Sequence, residues 1–269
     1  MMSLKTALVQ MSSGPDLAEN MAHIHQLTDG LPAVDLVILP ECALCRSGPH
    51  HLGQEARTAE EWLPILTPVA EAINAPLVAG GVPVASQGEF PRRIFNSSLI
   101  ISPDGELLGR YDKMHLFQLT EDEQTAVDET EIYAPGTLPT QFEIGRWRLG
   151  LSICYDLRFP ELFRQYTPAQ AMICTAAFTE QTGRDHWEVL LRARAIENQC
   201  YMLGVGQCGE HPTENYRNYG HTMCVDPWGR VIAEAADDPV VLVVDLDFNE
   251  VYKVRSRIPA LKELQLAPV

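Results

Sequence analysis

The chain has 269 residues, of which 46% are hydrophobic and 21% are charged, and its formal net charge is −16 at pH 7. These proportions are ordinary for a soluble globular protein that buries a sizeable core. Nucleic acid and anionic membrane surfaces both attract clustered lysine and arginine, and this chain contains no basic run. We therefore expect neither nucleic acid nor a membrane as a partner.

The seven cysteines are an odd number and follow no repeating spacing. A secreted disulfide framework usually shows an even number of cysteines in a short chain. The first residues lack an apolar stretch of signal-peptide length, and no run approaches the about 18 apolar residues of a membrane-spanning helix. Reduced thiols and a cytoplasmic location are therefore predicted.

Short apolar, β-branched runs alternate along the chain with longer amphipathic stretches. The runs that predict strands are 6–10, 35–39, 77–84, 98–102, 148–154, 171–178, 200–206, 221–225 and 240–245. The stretches that predict helices are 17–27, 56–73, 160–166 and 185–199. This alternation is typical of an α/β fold with largely buried strands. Because no Gly/Ser-rich or Pro-rich linker divides the chain, we expect a single domain over residues 1–269.

The helix over 185–199 has the clearest signals. Asp185 is predicted as its N-cap residue, and Glu188 occupies the capping-box position. Val189, Ala193 and Ile196 share one face at helical spacing, so we expect this face to be buried.

Two turn signals separate pairs of apolar runs, Ser-Pro-Asp-Gly at 102–105 and Asp-Pro-Trp-Gly at 226–229. The two similar strand-turn-strand units indicate two related sheets. The acidic segment 118–137 shows neither helical nor strand periodicity. We therefore expect it to form a long loop that is functional or mobile.

Cys154 lies where the apolar run 149–153 meets a polar turn that ends at Pro160. Thiolate is a strong nucleophile, but free cysteine titrates near pH ~8.5, so a reactive Cys154 requires neighbours that lower its pKa. A cysteine at the end of an apolar strand is more often a small core residue. Cys154 alone therefore does not define a site.

Two further strands end on a reactive residue type. The run 35–39 leads to Glu41, and the segment 109–112 leads to Lys113. Singly, each is more often a solvated surface charge. Strand ends at one edge of a sheet converge in α/β folds, however, so the two residues are expected to meet Cys154. A base, a cation and a thiol are the groups that acyl transfer from an amide requires.

Three segments carry a family resemblance: Leu-Pro-Glu at 39–41, Tyr-Asp-Lys-Met-His-Leu-Phe at 111–117 and Ile-Cys-Tyr-Asp-Leu-Arg-Phe-Pro-Glu at 153–161. In identity and order they resemble the signature segments of the nitrilase superfamily of carbon-nitrogen hydrolases, and the similarity extends over essentially the whole chain. The resemblance implies a four-layer αββα sandwich, a homodimer or larger homo-oligomer, and hydrolysis of a small-molecule amide through a cysteine thioester. It implies no metal and no organic cofactor.

The resemblance also assigns roles to matched residues. Glu41 would be the general base and Cys154 the nucleophile. Lys113 and the backbone N–H of Tyr155 would stabilise the oxyanion, which agrees with the turn expected after Cys154.

Many members use a second glutamate shortly before a Pro-Gly pair. Counting back from the Pro-Gly at 135–136 places it at Glu129. Glu121, Glu123 and Glu131 lie nearby in the same acidic segment and are the alternatives.

The segments 186–201, 219–223 and 226–229 resemble the deaminated-glutathione amidase branch of the superfamily. Omega-amidases, which act on amides of 2-oxo acids, are the nearest alternative, and N-carbamoyl hydrolysis or acyl transfer to an amine would use the same residues. Phe178 and Thr179 are candidate substrate contacts. Arg158 either binds a substrate carboxylate or pairs with Glu161.

Some sequence features also fit proteins of other classes. Cys42 and Cys45 form a Cys-x-x-Cys, and Cys208 lies three residues before His211, so a zinc or redox module is conceivable. The usual spacing of the second ligand pair is missing, which argues against it. A noncatalytic binding protein on this fold would be expected to lack the glutamate, lysine or cysteine. For an enzyme, we expect activity to rise through neutrality as the coupled cysteine and glutamate reach their reactive ionisation.

Overall fold

The computed structural model describes residues 2–87, 93–121, 124–213 and 215–264. The strands are β1 (Ser3–Gln10), β2 (Leu36–Ile38), β3 (Leu77–Ala85), β4 (Ile94–Ile101), β5 (Leu107–Asp112), β6 (Gln118–Glu121), β7 (Gln124–Asp128), β8 (Gln141–Ile144), β9 (Trp147–Ile153), β10 (Ala171–Ala176), β11 (Tyr201–Gly206), β12 (Cys208–Glu210), β13 (Arg217–Tyr219), β14 (Met223–Val225), β15 (Val231–Glu234) and β16 (Val240–Asp247). The helices are α1 (Leu17–Thr28), α2 (Pro49–Glu55), α3 (Ala59–Ile73), α4 (Pro160–Gln165), α5 (Glu180–Asn198) and α6 (Phe248–Arg257). Short 3-10 turns occupy Glu129–Glu131, Cys154–Arg158 and Ala260–Glu263.

Two six-stranded sheets share one plan. Their strand orders are β16-β1-β2-β3-β4-β5 and β15-β14-β11-β10-β9-β8. In each sheet a parallel trio, β1-β2-β3 or β9-β10-β11, is flanked by antiparallel strands. The predicted turns at 102–105 and 226–229 connect β4 to β5 and β14 to β15. The prediction of two related sheets is confirmed.

The sheets pack face to face, and helices cover their outer faces. Side chains alternate between the two faces of a strand. In β1, Leu4 and Leu8 belong to the core shared with the second sheet, whereas Ala7 and Val9 pack in a separate core with Trp62 of α3. Helices α4 and α5 pack on the second sheet. The predicted four-layer αββα sandwich is confirmed.

Helix α5 begins earlier than the sequence predicts. Thr179 is its N-cap residue, and Asp185 lies exposed within the helix, so the prediction of Asp185 as N-cap is wrong. The sequence did not predict the first turn of α5 because that turn contains Gly183, and glycine is unfavourable inside a helix. Here glycine is needed for packing, since a Cβ at Gly183 would lie 2.4 Å from the Cβ of Tyr219.

The predicted buried face of α5 is also wrong. Val189 and Ile196 are 66% and 53% exposed. The buried face carries Trp187 and Arg194 instead. Arg194 is buried because its Nε and Nη2 donate to the carbonyl oxygen of Leu157 at 3.1 and 2.9 Å. A hydrophobic pattern in which every arginine is assumed to be exposed therefore predicts the wrong face of α5 as buried.

The acidic segment 118–137 is not an irregular loop. Strands β6 and β7 pair as an antiparallel hairpin with Gln118 opposite Asp128, and the 3-10 turn Glu129–Glu131 follows. Main-chain pairing does not depend on apolar side chains, so composition alone did not reveal these strands.

The other predicted elements are present with shifted ends. Strand β4 begins at Ile94, α3 begins at Ala59, and β10 ends at Ala176. The sequence did not predict α2, α6, β8, β12 or β13. Within the described ranges, no helix is long and apolar enough to cross a membrane. The single-domain organisation stays a prediction.

Candidate active site

Glu41 follows β2, and only 2% of its surface is exposed. Its Oε1 accepts from Asn96 Nδ2 at 2.9 Å and from Lys113 Nζ at 3.0 Å. Its Oε2 accepts from the N–H of Ala177 at 2.8 Å. Because Ala177 follows β10 of the other sheet, Glu41 joins the strand ends of both sheets and is held in one orientation.

A bulge in β3 makes room for Glu41. The register of β3 against β4 shifts between Ala79 and Val82, and Gly81 has a φ of +65°. A Cβ on Gly81 would lie 2.6 Å from Glu41 Cγ and 2.3 Å from the backbone nitrogen of Cys42. Glycine is required here for its left-handed backbone and for the close approach.

Lys113 follows β5 and is 1% exposed. Its Nζ lies 3.0 Å from Glu41 Oε1, and 2.9 and 2.8 Å from Oε1 and Oε2 of Glu129. Burial disfavours the ammonium, but the attraction of Glu129 and Glu41 outweighs it and raises the pKa of Lys113 well above its usual range. Lys113 is therefore a cation at every working pH.

Glu129 reaches Lys113 from the turn after the β6–β7 hairpin. Its Oε2 also accepts from the N–H of Phe117 at 2.7 Å, which fixes the carboxylate. Of the alternative acids, Glu131 is exposed, while Glu123 and the side chain of Glu121 lie outside the described residues. The structure thus brings Glu129 into the cluster.

The pKa of Glu129 predicts an acid limit of activity. Burial raises this pKa above the 4.5 usual for a glutamate, and the attraction of Lys113 does not cancel the effect. As pH falls through the raised pKa, Glu129 is protonated and its charge attraction for Lys113 is lost. A pH-rate profile should therefore show kcat/KM falling on the acid side with a midpoint above pH 4.5. The residual activity of Glu129→Gln should lack this limb, and an unchanged limb in that variant would assign it to another group.

Cys154 opens the 3-10 turn after β9 with a left-handed φ of +48° and is half-buried. Burial and the charge of Glu41 raise the pKa of its thiol well above the usual value, and Lys113 opposes them only in part. Its neighbours therefore do not lower the pKa of Cys154, because burial and two carboxylates outweigh one ammonium. Cys154 therefore rests as a thiol, and a base would have to take its proton before the sulfur could act as a nucleophile.

Asp156 ties this turn to the segment that carries the lysine. It is completely buried, and its carboxylate accepts from the N–H of Ile153 at 2.9 Å, the N–H of His115 at 3.0 Å and the hydroxyl of Tyr111 at 2.7 Å. One carboxylate thereby sets the position of Cys154 against the end of β5.

Tyr155, the predicted oxyanion donor, is the second residue of the 3-10 turn. The first N–H groups of a helical turn lack partners within it. The ring of Tyr155 packs edge-on against Phe117 and Phe159, with centroids 5.2 and 5.4 Å apart. These ring contacts fix the position of Tyr155, whose backbone N–H comes directly after Cys154 in the chain.

Arg158 lies over two aromatic rings. Its Cζ is 5.7 Å from the ring centroid of Tyr155 and 5.5 Å from that of Phe178, and its Nη1 is 3.2 Å from His186 Nδ1. Its Nε is buried without a hydrogen-bond partner in the described part of the chain. Among the described residues, its guanidinium contacts these two rings and His186 rather than Glu161. The structure therefore does not place Arg158 in the predicted structural pair.

Phe178 and Thr179 form the connection from β10 to α5. Phe178 is 7% exposed and packs 5.1 Å from Trp187, and its carbonyl oxygen accepts from Asn218 Nδ2 at 3.1 Å. Thr179 caps α5, and its Oγ1 lies 2.9 Å from Thr182 Oγ1. Phe178 is brought to Arg158, whereas the contacts of Thr179 serve the helix start.

Sequence reasoning missed several residues that hold the site. Asn96 lies within β4, and no motif marks it. Ala177 acts through its main-chain N–H, which side-chain identity cannot reveal. Of these three residues, only Asp156 could have been recognised from the sequence, because it lies two residues after Cys154 in a polar turn.

The alternative zinc or redox module is not assembled. Cys42 is half-buried beside Glu41, Cys45 packs with Leu52, and all seven cysteines are free. In the residues that the structure describes, no group of three or more His, Cys, Asp or Glu side chains could hold a metal ion. That the enzyme needs no cofactor stays a prediction.

A thiol, a carboxylate and an ammonium meet where the strands of two sheets end. These are the groups that nucleophilic acyl transfer from an amide requires. An αββα sandwich with this buried cluster defines a hydrolase of the nitrilase type.

The carbon-nitrogen hydrolase family model matches residues 5–256, and the chain belongs to this family. The deaminated glutathione amidase of Synechocystis sp. is 36% identical over 263 residues, which cover 95% of this chain and 96% of the relative. The Yersinia enterocolitica enzyme of the same name is 37% identical over 272 residues, with coverages of 97% and 93%. Omega-amidase NIT2 of Xenopus tropicalis is 31% identical over 268 residues, with coverages of 98% and 95%. The protein is thus a hydrolase of carbon–nitrogen bonds.

Solved structures give the same fold. A CN-hydrolase superfamily protein from Xanthomonas campestris, with an arsenic adduct in its active site, superposes with a TM-score of 0.88 at 26% identity, covering all of both chains (100% each). The NitFhit protein of Caenorhabditis elegans gives a TM-score of 0.85 at 33% identity. That match covers 98% of this chain, which spans 65% of the length of the NitFhit chain.

Proposed function

We propose that the protein hydrolyses an amide of a small carboxylate through a thioester on Cys154. We propose that this amide is deaminated glutathione, in which a 2-oxo acyl group is joined to the nitrogen of cysteinylglycine. The reaction class is carried by one observation: Lys113 Nζ contacts both Glu41, at 3.0 Å, and Glu129, at 2.8 Å, within electrostatic reach of Cys154. The substrate rests on 36% and 37% identity to two deaminated glutathione amidases. A cytoplasmic location with reduced thiols is part of the proposal.

Acylation begins when Glu41 accepts the proton of the Cys154 thiol and the sulfur attacks the amide carbon. The carbon–sulfur bond forms as the carbonyl π electrons move to oxygen. With one N–H of Lys113 on each carboxylate, the third can donate to this oxyanion together with the N–H of Tyr155. The carbon–nitrogen bond breaks as the intermediate collapses, and Glu41 returns the proton to the leaving nitrogen. Deaminated glutathione thereby releases cysteinylglycine, whereas a primary amide would release ammonia.

Deacylation reverses these roles with water as the nucleophile. Glu41 takes a proton from the water as it attacks the thioester, and the same donors stabilise the second oxyanion. The carbon–sulfur bond breaks, the proton returns to the sulfur of Cys154, and the carboxylic acid product is released.

Arg158 supports a substrate that carries a carboxylate. Its guanidinium has a buried Nε without a partner in the described residues, and it stacks over Phe178. A carboxylate would supply the missing acceptor through a charge-assisted hydrogen bond. Omega-amidase activity on amides of 2-oxo acids uses the same site and is favoured next, because of the 31% identity to omega-amidase NIT2.

Mass spectrometry of the acid-quenched enzyme tests the reaction and the substrate together. The enzyme is mixed with deaminated glutathione, 2-oxosuccinamate, an N-carbamoyl amino acid and a simple amide in turn. We expect the acyl group of the best substrate as an adduct on Cys154, and no adduct on Cys154→Ala. Adding a primary amine distinguishes hydrolysis from acyl transfer, because transfer gives a new amide whereas hydrolysis gives the free carboxylic acid. Turnover without an adduct on the wild-type enzyme would contradict the thioester route.

We also propose that two copies associate through the outer face of α5. Val189 and Ile196 form an exposed apolar stripe on this helix, and Ile232 on β15 is 48% exposed as well. A stripe on a long helix is self-complementary in a two-fold dimer. Val189→Asp should weaken association by roughly 100-fold in sedimentation equilibrium, since it adds charge to an apolar contact in both copies. Leu138→Asp, at a position that is 72% exposed, is the matched control; unchanged association of Val189→Asp would exclude this face.

A further inference from the structure

Tyr133 is a buried tyrosine whose hydroxyl lacks a hydrogen-bond partner. Its side chain belongs to a residue that is 5% exposed, and its hydroxyl oxygen is unpaired in the described part of the chain. Almost all buried hydroxyls in native proteins have a partner, because an unpaired one costs folding free energy. An unpaired hydroxyl beside an active site therefore indicates a group that binds there.

The backbone fixes the position of Tyr133. Its N–H donates to the carbonyl oxygen of Glu129 at 2.8 Å, and the next N–H, of Ala134, donates to Ile94 in β4 at 2.8 Å. The ring packs in a small core with Cys45. Tyr133 therefore lies directly after the turn that contains Glu129, and its fixed backbone leaves the hydroxyl little freedom to reach another hydrogen-bond partner.

The turn that precedes Tyr133 belongs to the charged cluster, because Glu129 Oε2 lies 2.8 Å from Lys113 Nζ. Burial raises the pKa of Tyr133 well above its usual value, the charges of Glu129 and Glu41 add to this effect, and Lys113 opposes it. The hydroxyl therefore remains protonated and can donate. Two carboxylates lie in its surroundings for one ammonium, so a substrate carboxylate would be repelled there, whereas a neutral carbonyl oxygen would be accepted.

We propose that Tyr133 is a specificity-determining residue that donates a hydrogen bond to a neutral carbonyl oxygen on the acyl chain, and so selects amides of 2-oxo acids. The inference rests on the proposed amidase function. It divides recognition between two groups: Arg158 takes the carboxylate, and Tyr133 takes the oxo oxygen. A site that hydrogen-bonds a substrate oxygen discriminates against the analogue that lacks it, because its own polar group is then left unpaired.

Tyr133→Phe tests the proposal because it removes only the hydroxyl. Steady-state kinetics are compared on 2-oxosuccinamate and on succinamate, which has a methylene in place of the 2-oxo group. We expect kcat/KM on 2-oxosuccinamate to fall about 10- to 100-fold, mainly through KM, and the value on succinamate to change less than about twofold. The unfolding midpoint in denaturant should stay the same or rise, because no protein hydrogen bond is lost.

Tyr166→Phe is the matched control, since the hydroxyl of Tyr166 donates to the carbonyl oxygen of Leu151 in the core. It should lower the unfolding midpoint and leave the ratio of the two substrates unchanged. Equal losses on both substrates in Tyr133→Phe, or no loss on either, would overturn the role of Tyr133 and leave the amidase proposal standing. A wild-type enzyme that hydrolyses succinamate as fast as 2-oxosuccinamate would overturn the 2-oxo acid selection itself, while the adduct measurement on the other amides still decides the thioester reaction.

Discussion

Cys154→Ala should lower kcat by at least about 10⁴-fold while the protein stays folded, because removal of a covalent nucleophile eliminates the route rather than one of its contacts. The backbone at Cys154 is left-handed, and alanine has the same steric preference there as cysteine, so the turn is not strained further. Because Asp156, rather than the thiol, accepts the N–H and O–H groups that hold the turn, the free energy of unfolding should change by less than about 1 kcal/mol.

Glu41→Gln separates the base from the nucleophile. It should lower kcat by roughly 10²- to 10⁴-fold, the range for loss of a general base. The charge of Glu41 helps to raise the pKa of Cys154, so its removal should lower that pKa. Alkylation of Cys154 by iodoacetamide, followed against pH, should therefore become equal or faster at neutral pH although turnover is lost.

Two outcomes would contradict these assignments. Cys154→Ala that retains activity within tenfold of wild type (that is, roughly 1.4 kcal/mol or less of lost transition-state stabilisation) would remove the thioester from the mechanism. Glu41→Gln in which alkylation slows in parallel with turnover would mean that Glu41 positions the thiol instead of accepting its proton. In Glu41→Gln the glutamine keeps the shape of the side chain, so an altered fold would not account for slower alkylation.

The placement of the predicted site residues could be inferred from the sequence, whereas the framework that holds them could not. Glu41, Lys113 and Cys154 each follow an apolar strand, and strand ends converge in an α/β fold, so local patterns sufficed to place them together. The N–H of Ala177 and the amide of Asn96 enter through pairing of distant strands, which no local pattern encodes.

The errors on α5 have a common physical cause. Gly183 and Arg194 are both residues that a local pattern assigns to loops or surfaces, and both are buried by tertiary contacts with Tyr219 and Leu157. The pKa of the Cys154 thiol could not be judged from the sequence for a similar reason. Its value follows from burial and from the balance of charges around it, and neither can be counted until the fold places Glu41 and Glu129 beside one lysine.

Lys113→Met should cost about 3–5 kcal/mol of unfolding free energy in addition to the activity, because it leaves two buried carboxylates facing each other without a cation. Methionine keeps an unbranched stem of similar length, so the packing of the side chain is largely preserved. Denaturant unfolding at neutral pH measures the loss.

Adding Glu129→Gln to Lys113→Met distinguishes charge from packing. The second change removes one of the two carboxylates, so the double variant should regain most of the lost stability while remaining inactive, since no ammonium is left for the oxyanion. The attraction of Lys113 lowers the pKa of Glu129, so without the lysine this carboxyl takes up a proton more readily. The stability gap between Lys113→Met and wild type should therefore narrow as pH falls. If the single variant were as stable as wild type at neutral pH, the prediction that the cluster holds two ionised carboxylates beside Lys113 would be wrong.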